Sequence, residues 1–406
     1  MHTPGPDAHA DAIAFVLALG KALHRYGTPA HRLEEALNNC CGQLGLDAEV
    51  FTTPTTIIMS FGAPVELKTR MMRVETSELD MSKLAEVDAL ANLVAGHHIT
   101  AAEGIARLAT ILSAPPLFRG PLSTAVHAVT AGAIAVFFGG SLPDVAVAAG
   151  IGLALGVLAQ YAARSTDQAR VFEVVGAAFA ALVAGLVSSV WLAVSPSIVT
   201  IAALVILLPG MTFTVALTEL ATRNLIAGTA RLMFAVVVLL ELVVGVALGD
   251  RIAAALVHVH HATPVPLPGW AQWVALLAAA LGVAVVVRAH PRAFGWILAA
   301  SVVGYLGTRL GTRWLGHDMG ALVGALALGV MGNAYARLLH RPAQVVMVPA
   351  VLLLVPGSVG LRGLSSLLGR DTLGGVETLF AMFVIAIAIV AGLLVSNAIV
   401  SPRRSL

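Results

Sequence analysis

LLPGMTFTVALTELATRN, residues 207–224, and LVPGSVGLRGLSSLLGRD, residues 354–371, carry the fold of this chain. Each begins where an apolar run of only twelve (197–208) or eleven (345–355) residues meets a Pro-Gly pair, Pro209-Gly210 or Pro356-Gly357. Each then reaches an arginine followed by an amide or acid, Arg223-Asn224 or Arg370-Asp371. Pro356 lies 147 positions after Pro209, Arg370 lies 147 after Arg223, and Gly375 lies 147 after Gly228. The same shift takes Thr124 to Ala271, so the second half reads as a gap-free duplicate of the first.

Working outward, apolar spans are expected at 122–138, 145–162, 171–193, 197–208, 228–248, 271–287, 294–310, 319–339, 345–355 and 376–399. Most approach the ~20 residues that cross a bilayer core. The fourth and ninth do not. Five spans per copy is an odd number, so the second copy enters the membrane upside down, an arrangement typical of secondary transporters. With the N-terminus inside, ten arginines (164, 170, 223, 231, 288, 292, 337, 341, 403, 404) fall in cytoplasmic loops and five (251, 309, 313, 362, 370) outside. That bias follows the positive-inside rule.

Composition divides the chain near Pro115-Pro116. Over its 406 residues it is 58% hydrophobic and 11% charged, with mean hydropathy +0.90. Soluble domains carry about 25% charged residues. Residues 1–119 hold 9 of the 24 basic and 13 of the 22 acidic side chains, and every basic residue beyond them is Arg. A polar N-terminus from Met1 to His9 argues against a cleaved signal peptide and keeps the front segment cytoplasmic. The only cysteines, Cys40 and Cys41, are adjacent and read as helix packing.

The front segment patterns as an α+β domain. Ile13, Val16, Leu17, Gly20 and Leu23 share one helical face, and Gly27-Thr28-Pro29 ends that helix. Leu33, Ala36, Leu37, Cys40, Cys41 and Leu44 form the next stripe. Residues 49–61 read as one or two strands, with 66–75 pairing to them, and helices follow at 81–94 and 100–111. Glu103 and Arg107 make an i,i+4 pair.

Pro removes a backbone donor and Gly admits unusual conformations, so both Pro-Gly pairs predict helices stopped inside the membrane. Free backbone groups at that depth are tolerated where they line a wet cavity. The bland alternative is a short helix ending at the interface. The site expectation comprises Pro209, Gly210, Thr212, Thr214, Arg223, Asn224, Pro356, Gly357, Ser358, Arg370 and Asp371, suited to a small zwitterion or carboxylate. Thr218, Ser365 and Ser366 flank it. The arginines either fork a substrate carboxylate or act structurally, pairing with Glu219 or Asp371 or anchoring at headgroups. Glu241, deep in the fifth span, is the first proton-coupling candidate and Glu219 the second. Otherwise Glu241 pairs with a neighbouring Arg. His127 and Asn333 are expected to bond between helices; Asp144, Asp250 and Asp318 mark span ends. His258-Val259-His260-His261 invites a metal reading, but it lies in an expected external loop with no Cys and few carboxylates nearby, so no metal and no cofactor are expected.

The series GKALHRYGTPAHRLEEAL, TPTTIIMSF, MRVETSELDMSKLAEVDAL and ITAAEGIARLATI, followed by the paired LxPG segments, resembles the bacterial threonine/serine exporter (ThrE) family over nearly the whole chain. The resemblance implies a ten-span exporter of threonine and serine driven by the proton motive force. Two-component relatives are linked to succinate export; the fused halves here look more like the amino-acid exporters. Front domains of the family have been likened to hydrolases. Ser60 is the best nucleophile here, yet no G-x-S-x-G elbow surrounds it.

The expectation is therefore an α-helical polytopic membrane protein of about ten spans, two inverted five-span repeats, with a small α+β cytoplasmic N-terminal domain. Its parts are 1–118 (soluble), 119–260 (first repeat) and 261–406 (second repeat). It is a secondary transporter, not an enzyme, in a bacterial inner membrane with both termini cytoplasmic. Its partners are a small amino acid or carboxylate, protons and lipid, with homo-oligomers open and no nucleic acid. The alternatives are a dicarboxylate exporter and a membrane-anchored hydrolase.

Overall fold

The computed structural model describes residues 6–63, 66–75, 79–260, 262–354 and 357–402, without the side chains of residues 6–8 and 317. Pro356, His261, Arg403 and Arg404 of the sequence reading lie outside them.

The front segment builds α1 (Pro6–Arg25), α2 (Ala30–Gln43), β1 (Ala48–Thr53), β2 (Thr56–Phe61), β3 (Lys68–Arg73), α3 (Met81–Ala95) and α4 (Ala101–Ser113). The three strands form an antiparallel sheet in sequence order, with Thr53 opposite Thr56 and Phe61 opposite Lys68. Alternation along β2 buries Ile57, Met59 and Phe61 and leaves Thr56, Ile58 and Ser60 half-buried. Asp80 caps α3 by accepting the Lys83 amide at 3.0 Å, and Thr100 caps α4 by accepting that of Glu103 at 3.2 Å. The buried face of α1 differs from the expected stripe. Phe15 and Leu19 are fully buried while Ile13 and Leu17 are only partly so, because α2, α3, α4 and β2 enclose the helix from several sides.

The apolar remainder builds α5 (Pro121–Phe137), α6 (Leu142–Ala162), α7 (Thr166–Arg170), α8 (Phe172–Val190), α9 (Pro196–Leu204), α10 (Gly210–Ala221) and α11 (Leu225–Leu256). It continues with α12 (Gly269–Val286), a 3-10 turn (Pro291–Ala293), α13 (Phe294–Leu315), α14 (His317–Leu339), α15 (Gln344–Leu352), α16 (Gly357–Leu368) and α17 (Thr372–Ile399). Among the described residues, eight helical stretches are long and apolar enough to cross a bilayer, and α5 is a shorter apolar helix. The protein is a polytopic helical membrane protein.

The segments after the Pro-Gly pairs are not loops, as the span assignment had them. The helix restarts at once, as α10 and α16. Threonine is a weak helix former, but here its hydroxyls bond back one turn: Thr214 to Gly210 O (3.1 Å), Thr218 to Thr214 O (2.9 Å) and Thr222 to Thr218 O (2.9 Å). Around the breaks the 147-residue shift holds at both ends of α10 and at the start of α11. Gly210 maps to Gly357, Ala221 to Leu368, and Leu225 to Thr372. It is not gap-free throughout, because the left-handed residues that end α5 and α12, Gly139 and Arg288, are 149 apart.

Packing around the breaks follows the same correspondence, whereas α13 lies closely along α14 while α6 touches α8 far less. α8 lies on α11 as α14 lies on α17; α10 and α16 each fold back on the helix that follows, and cross over to α17 and α11 respectively. Gly245 and Gly392, again 147 apart, bring their helices against the backbone carbonyls of Val174 and Leu322. Asn333 donates to Asn397 Oδ1 at 2.9 Å, an interhelical bond as expected. His127 instead pairs with Ser123 O of its own helix at 2.9 Å, beside Gly156 of α6, where an added Cβ would sit 3.1 Å from His127 Cγ. Asp144 does more than mark a span end. Fully buried, it closes a capping box with Ser141 and accepts the Ser195 amide at 2.7 Å, tying α6 to the start of α9.

Candidate functional site

The site begins at a corner of the front domain. Gly27 takes φ +86°, a conformation glycine reaches without strain. It lets Gly27 N bond His24 O (3.1 Å) and Thr28 N bond Leu23 O (3.2 Å), the Schellman pattern that ends α1. Pro29 then starts α2 in an extended conformation. The corner places Thr28 between the two helices and aims the first turn of α2 at α10.

Hydrogen bonds dock the front domain onto the membrane helices at two places, and α3 also packs on α15. Ala30 N donates to Glu219 Oε1 at 2.9 Å, and Arg231 Nε holds both Glu219 oxygens at 3.0 Å. An anion at a helix N-terminus is favoured by the unsatisfied amides and the helix dipole. One turn further on, Glu34 accepts from Thr52 N (2.8 Å), Thr52 Oγ1 (3.0 Å) and Asn224 Nδ2 (3.1 Å). The second contact joins the start of α3 to the end of α12, through Met81 N to Val287 O (2.9 Å) and Ser82 N to Arg288 O (3.2 Å). Arg288 also stands 3.9 Å from Asp80, whose carboxyl burial pushes up against the opposing pull of the Lys83 amide and Arg288.

Between the contacts lies a cavity of about 340 Å³. The front domain lines it with His24, Thr28, His31, Arg32 and Glu35. The membrane helices line it with Thr212, Thr214 and Thr218 of α10, Asn333 of α14, Gln344 of α15 and Asn397 of α17. Arg32 pairs with Glu35 at 3.0 Å. Burial first, then the charges of Arg32 and Arg231, push the His31 pKa down to about 4. His24 is lowered by burial and Arg231, partly offset by the backbone of Thr53 and Pro54. Both rings are therefore neutral at pH 7.

The sequence-predicted residues divide into three groups. Thr212 and Thr214 line the cavity. Pro209 and Gly210 lie just before them and abut Gly357: a Cβ on Gly357 would sit 3.0 Å from Leu208 Cβ and 3.3 Å from Gly210 Cα. The two breaks therefore meet backbone to backbone. Arg223, Asn224, Ser358, Arg370 and Asp371 are not among the lining residues. Arg223 (φ +68°) and Arg370 (φ +67°) are exposed left-handed residues closing Schellman turns. Arg223 N bonds Leu220 O and Asn224 N bonds Glu219 O; Arg370 N bonds Leu367 O and Asp371 N bonds Ser366 O. Asn224 reaches Glu34, and Asp371 caps α17 by accepting Gly374 N at 3.1 Å. Glu219 sits at the docking contact. Glu241 is half-buried on α11, away from the cavity, within electrostatic reach of Glu173 on α8.

Sequence reasoning missed the front-domain wall. The corner at Gly27-Thr28-Pro29 is legible only as a helix end, and nothing local says what it faces. Ser60 is bonded across the sheet to Thr69 Oγ1 at 2.9 Å. The His258 and His260 rings stand 6.2 Å apart, and among the described residues no group of three His, Cys, Asp or Glu could hold a metal.

The ThrE model, described as "Putative threonine/serine exporter", matches residues 14–253, and ThrE_2, "Threonine/Serine exporter, ThrE", matches residues 272–399. The chain belongs to the ThrE family. The first ThrE match runs from the front domain through α5 to α11, and the ThrE_2 match spans α12 to α17. By description this is a transporter family, not an enzyme family. Pheromone-regulated membrane protein 10 of Zygosaccharomyces rouxii is 27% identical over 425 residues, covering 96% of this chain and 43% of the relative. Its namesake in Saccharomyces cerevisiae is 27% identical over 379 residues, covering 88% and 48%. The chain thus spans about half the length of these fungal relatives. No solved structure matches it.

Proposed function

We propose that the protein is a secondary active transporter that exports small amino acids, threonine and serine, from the cytoplasm, with the cavity under the front domain as its substrate chamber. The observation that carries this reading is the position of the chamber. It is walled by α10 and α15, which follow and precede the two Pro-Gly breaks. Interrupted helices at matching places in two halves mark transport sites. Its volume falls within the usual range for small-molecule pockets.

Chain geometry supports ten crossings in two inverted five-span copies. Asn224 touches the front domain, Arg288 lies against Asp80, and Pro342 and Pro402 line the chamber. Those four corners share one side. Between Pro342 and Pro402 the chain runs through α15–α16 and then α17, so an even number of crossings requires the broken segment to cross. Equivalent helices also run in opposite directions: α12 ends against the front domain at Val287, whereas α5 starts on that side, near Phe294. The front domain, residues 1–118, is then cytoplasmic, ahead of repeats at 119–260 and 261–406.

Charge favours a zwitterion over a dicarboxylate. The lining carries Arg32 and Arg231 against Glu35 and Asp88, with Arg32 bonded to Glu35 and Arg231 to Glu219 outside the lining. Glu219, ion-paired to a lining arginine, is better placed than Glu241 to couple transport to protons. The deciding measurement is efflux from proteoliposomes loaded with labelled threonine, serine or succinate, with and without a pH gradient. Gradient-driven threonine and serine efflux is expected. Succinate flux without threonine flux overturns the reading.

A further inference from the structure

The chamber has two walls, and among the described residues only the front-domain wall holds buried side-chain polar atoms without a partner. On the membrane wall, Thr214 and Thr218 donate to carbonyls of their own helix, and Asn333 donates to Asn397 Oδ1 and Val400 O. Among the front-domain residues that line it, Thr28 Oγ1, His31 Nδ1 and both ring nitrogens of His24 have no accessible surface and no partner at hydrogen-bond geometry, so they meet a bound molecule only when those side chains turn toward the chamber. The backbone of Thr53 and Pro54 lies near His24 without meeting that geometry. Thr28 is 6% and His24 4% exposed. Buried polar atoms are normally paired, and an exception calls for an explanation, of which a bound species is one.

We infer that the front domain is itself half of the substrate site, and that Thr28 with His31 recognises the side-chain hydroxyl of a small neutral amino acid. The inference rests on the exporter reading above and names the residues that would give it specificity. The Gly27-Thr28-Pro29 corner holds the Thr28 hydroxyl on a rigid turn, and His31 follows on the first turn of α2. A hydroxyl both donates and accepts, and so does a neutral imidazole. The ion pairs Arg32–Glu35 and Arg231–Glu219 occupy both lining arginines, and Asp88 is the remaining carboxylate of the lining. A site built to bond a hydroxyl rejects the analogue lacking it far better than an apolar pocket separates two isosteres.

The test compares threonine with valine, which replaces the hydroxyl by a methyl, using the full chain in proteoliposomes. Wild type is expected to prefer threonine. Thr28→Val should cut the threonine-to-valine efflux ratio about ten-fold or more, and His31→Leu should lower it similarly, whereas Thr28→Ser should keep it. A ratio untouched by Thr28→Val and His31→Leu overturns the inference and leaves water as the partner of these atoms. If neither variant folds, ligand-induced thermal stabilisation of the wild-type chain decides: equal stabilisation by threonine and valine also overturns it. Wild-type vesicles that move neither threonine nor serine sink the exporter reading itself, which is a distinct result.

Discussion

Glu219 caps a helix to which it does not belong: its carboxylate, with no exposed surface, accepts the amide of Ala30 at 2.9 Å across the junction between α10 and the front domain. Arg231, 17% exposed, supplies the countercharge from α11. Removing one partner of such a pair strands the other, while removing both is much milder. Glu219→Gln should therefore cost about 2–4 kcal/mol, and adding Arg231→Met should recover part of it. Thermal unfolding of the purified full chain in detergent measures both. A double variant no more stable than Glu219→Gln would contradict this account.

His31 makes the same junction sensitive to acid. Its folded pKa of about 4 lies below the ordinary 6.5, so the unfolded chain binds the proton more readily. Stability contributed by keeping this ring neutral is complete above about pH 6.5 and is lost as pH falls toward 4, by at most about 3 kcal/mol. His31→Gln should flatten the stability profile between pH 7 and 4. Unfolding midpoints taken across that window give the comparison. A wild-type loss that persists in His31→Gln assigns the acid sensitivity elsewhere.

What sequence could and could not reveal follows from how each feature is encoded. Spans are written in long apolar runs, and the expectation of a duplication rests on distinctive residues that recur, as at Arg223 and Arg370. Both arginines prove to be left-handed helix terminators, a backbone role that an arginine does not advertise. The restart of α10 was hidden because threonine reads as a poor helix former until its hydroxyls find carbonyls one turn back. The docking of Glu219 on Ala30 was hidden for a different reason. Its partner is a backbone amide 189 positions away, and an amide has no sequence signature. Likewise Thr28 and His31 sit in a segment legible as a helix end, and only the packed molecule brings them to the same chamber as Thr212 and Thr214.

Cys40 and Cys41 provide a reporter for the front domain. Both are buried, and burial pushes their thiols up to about 12 and about 11. Thiolate is the reacting form. Neither should react measurably with iodoacetamide at pH 8 in the folded chain, and both should react once denaturant opens the domain. Mass spectrometry counts the adducts. Rapid double labelling under native conditions would mean that α2 opens far more often than its packing implies.

The meeting of the two helix breaks gives the last prediction. A methyl group on Gly357 would sit 3.0 Å from Leu208 Cβ and 3.3 Å from Gly210 Cα, and a backbone atom cannot swing aside as a side-chain tip can. Gly357→Ala should therefore push the breaks apart, at about 1–3 kcal/mol. Gly295 offers the contrast. It lies in the first turn of α13 with open space where a Cβ would go, so Gly295→Ala should be neutral or slightly stabilising through helix propensity. If transport moves the half-helices past one another while they stay in contact, Gly357→Ala lowers efflux by more than its loss of stability explains, and Gly295→Ala does not. Efflux and melting temperature, measured on the same preparations, separate these effects. Normal efflux with a normal melting temperature in Gly357→Ala would mean that the breaks do not touch in the transporting states.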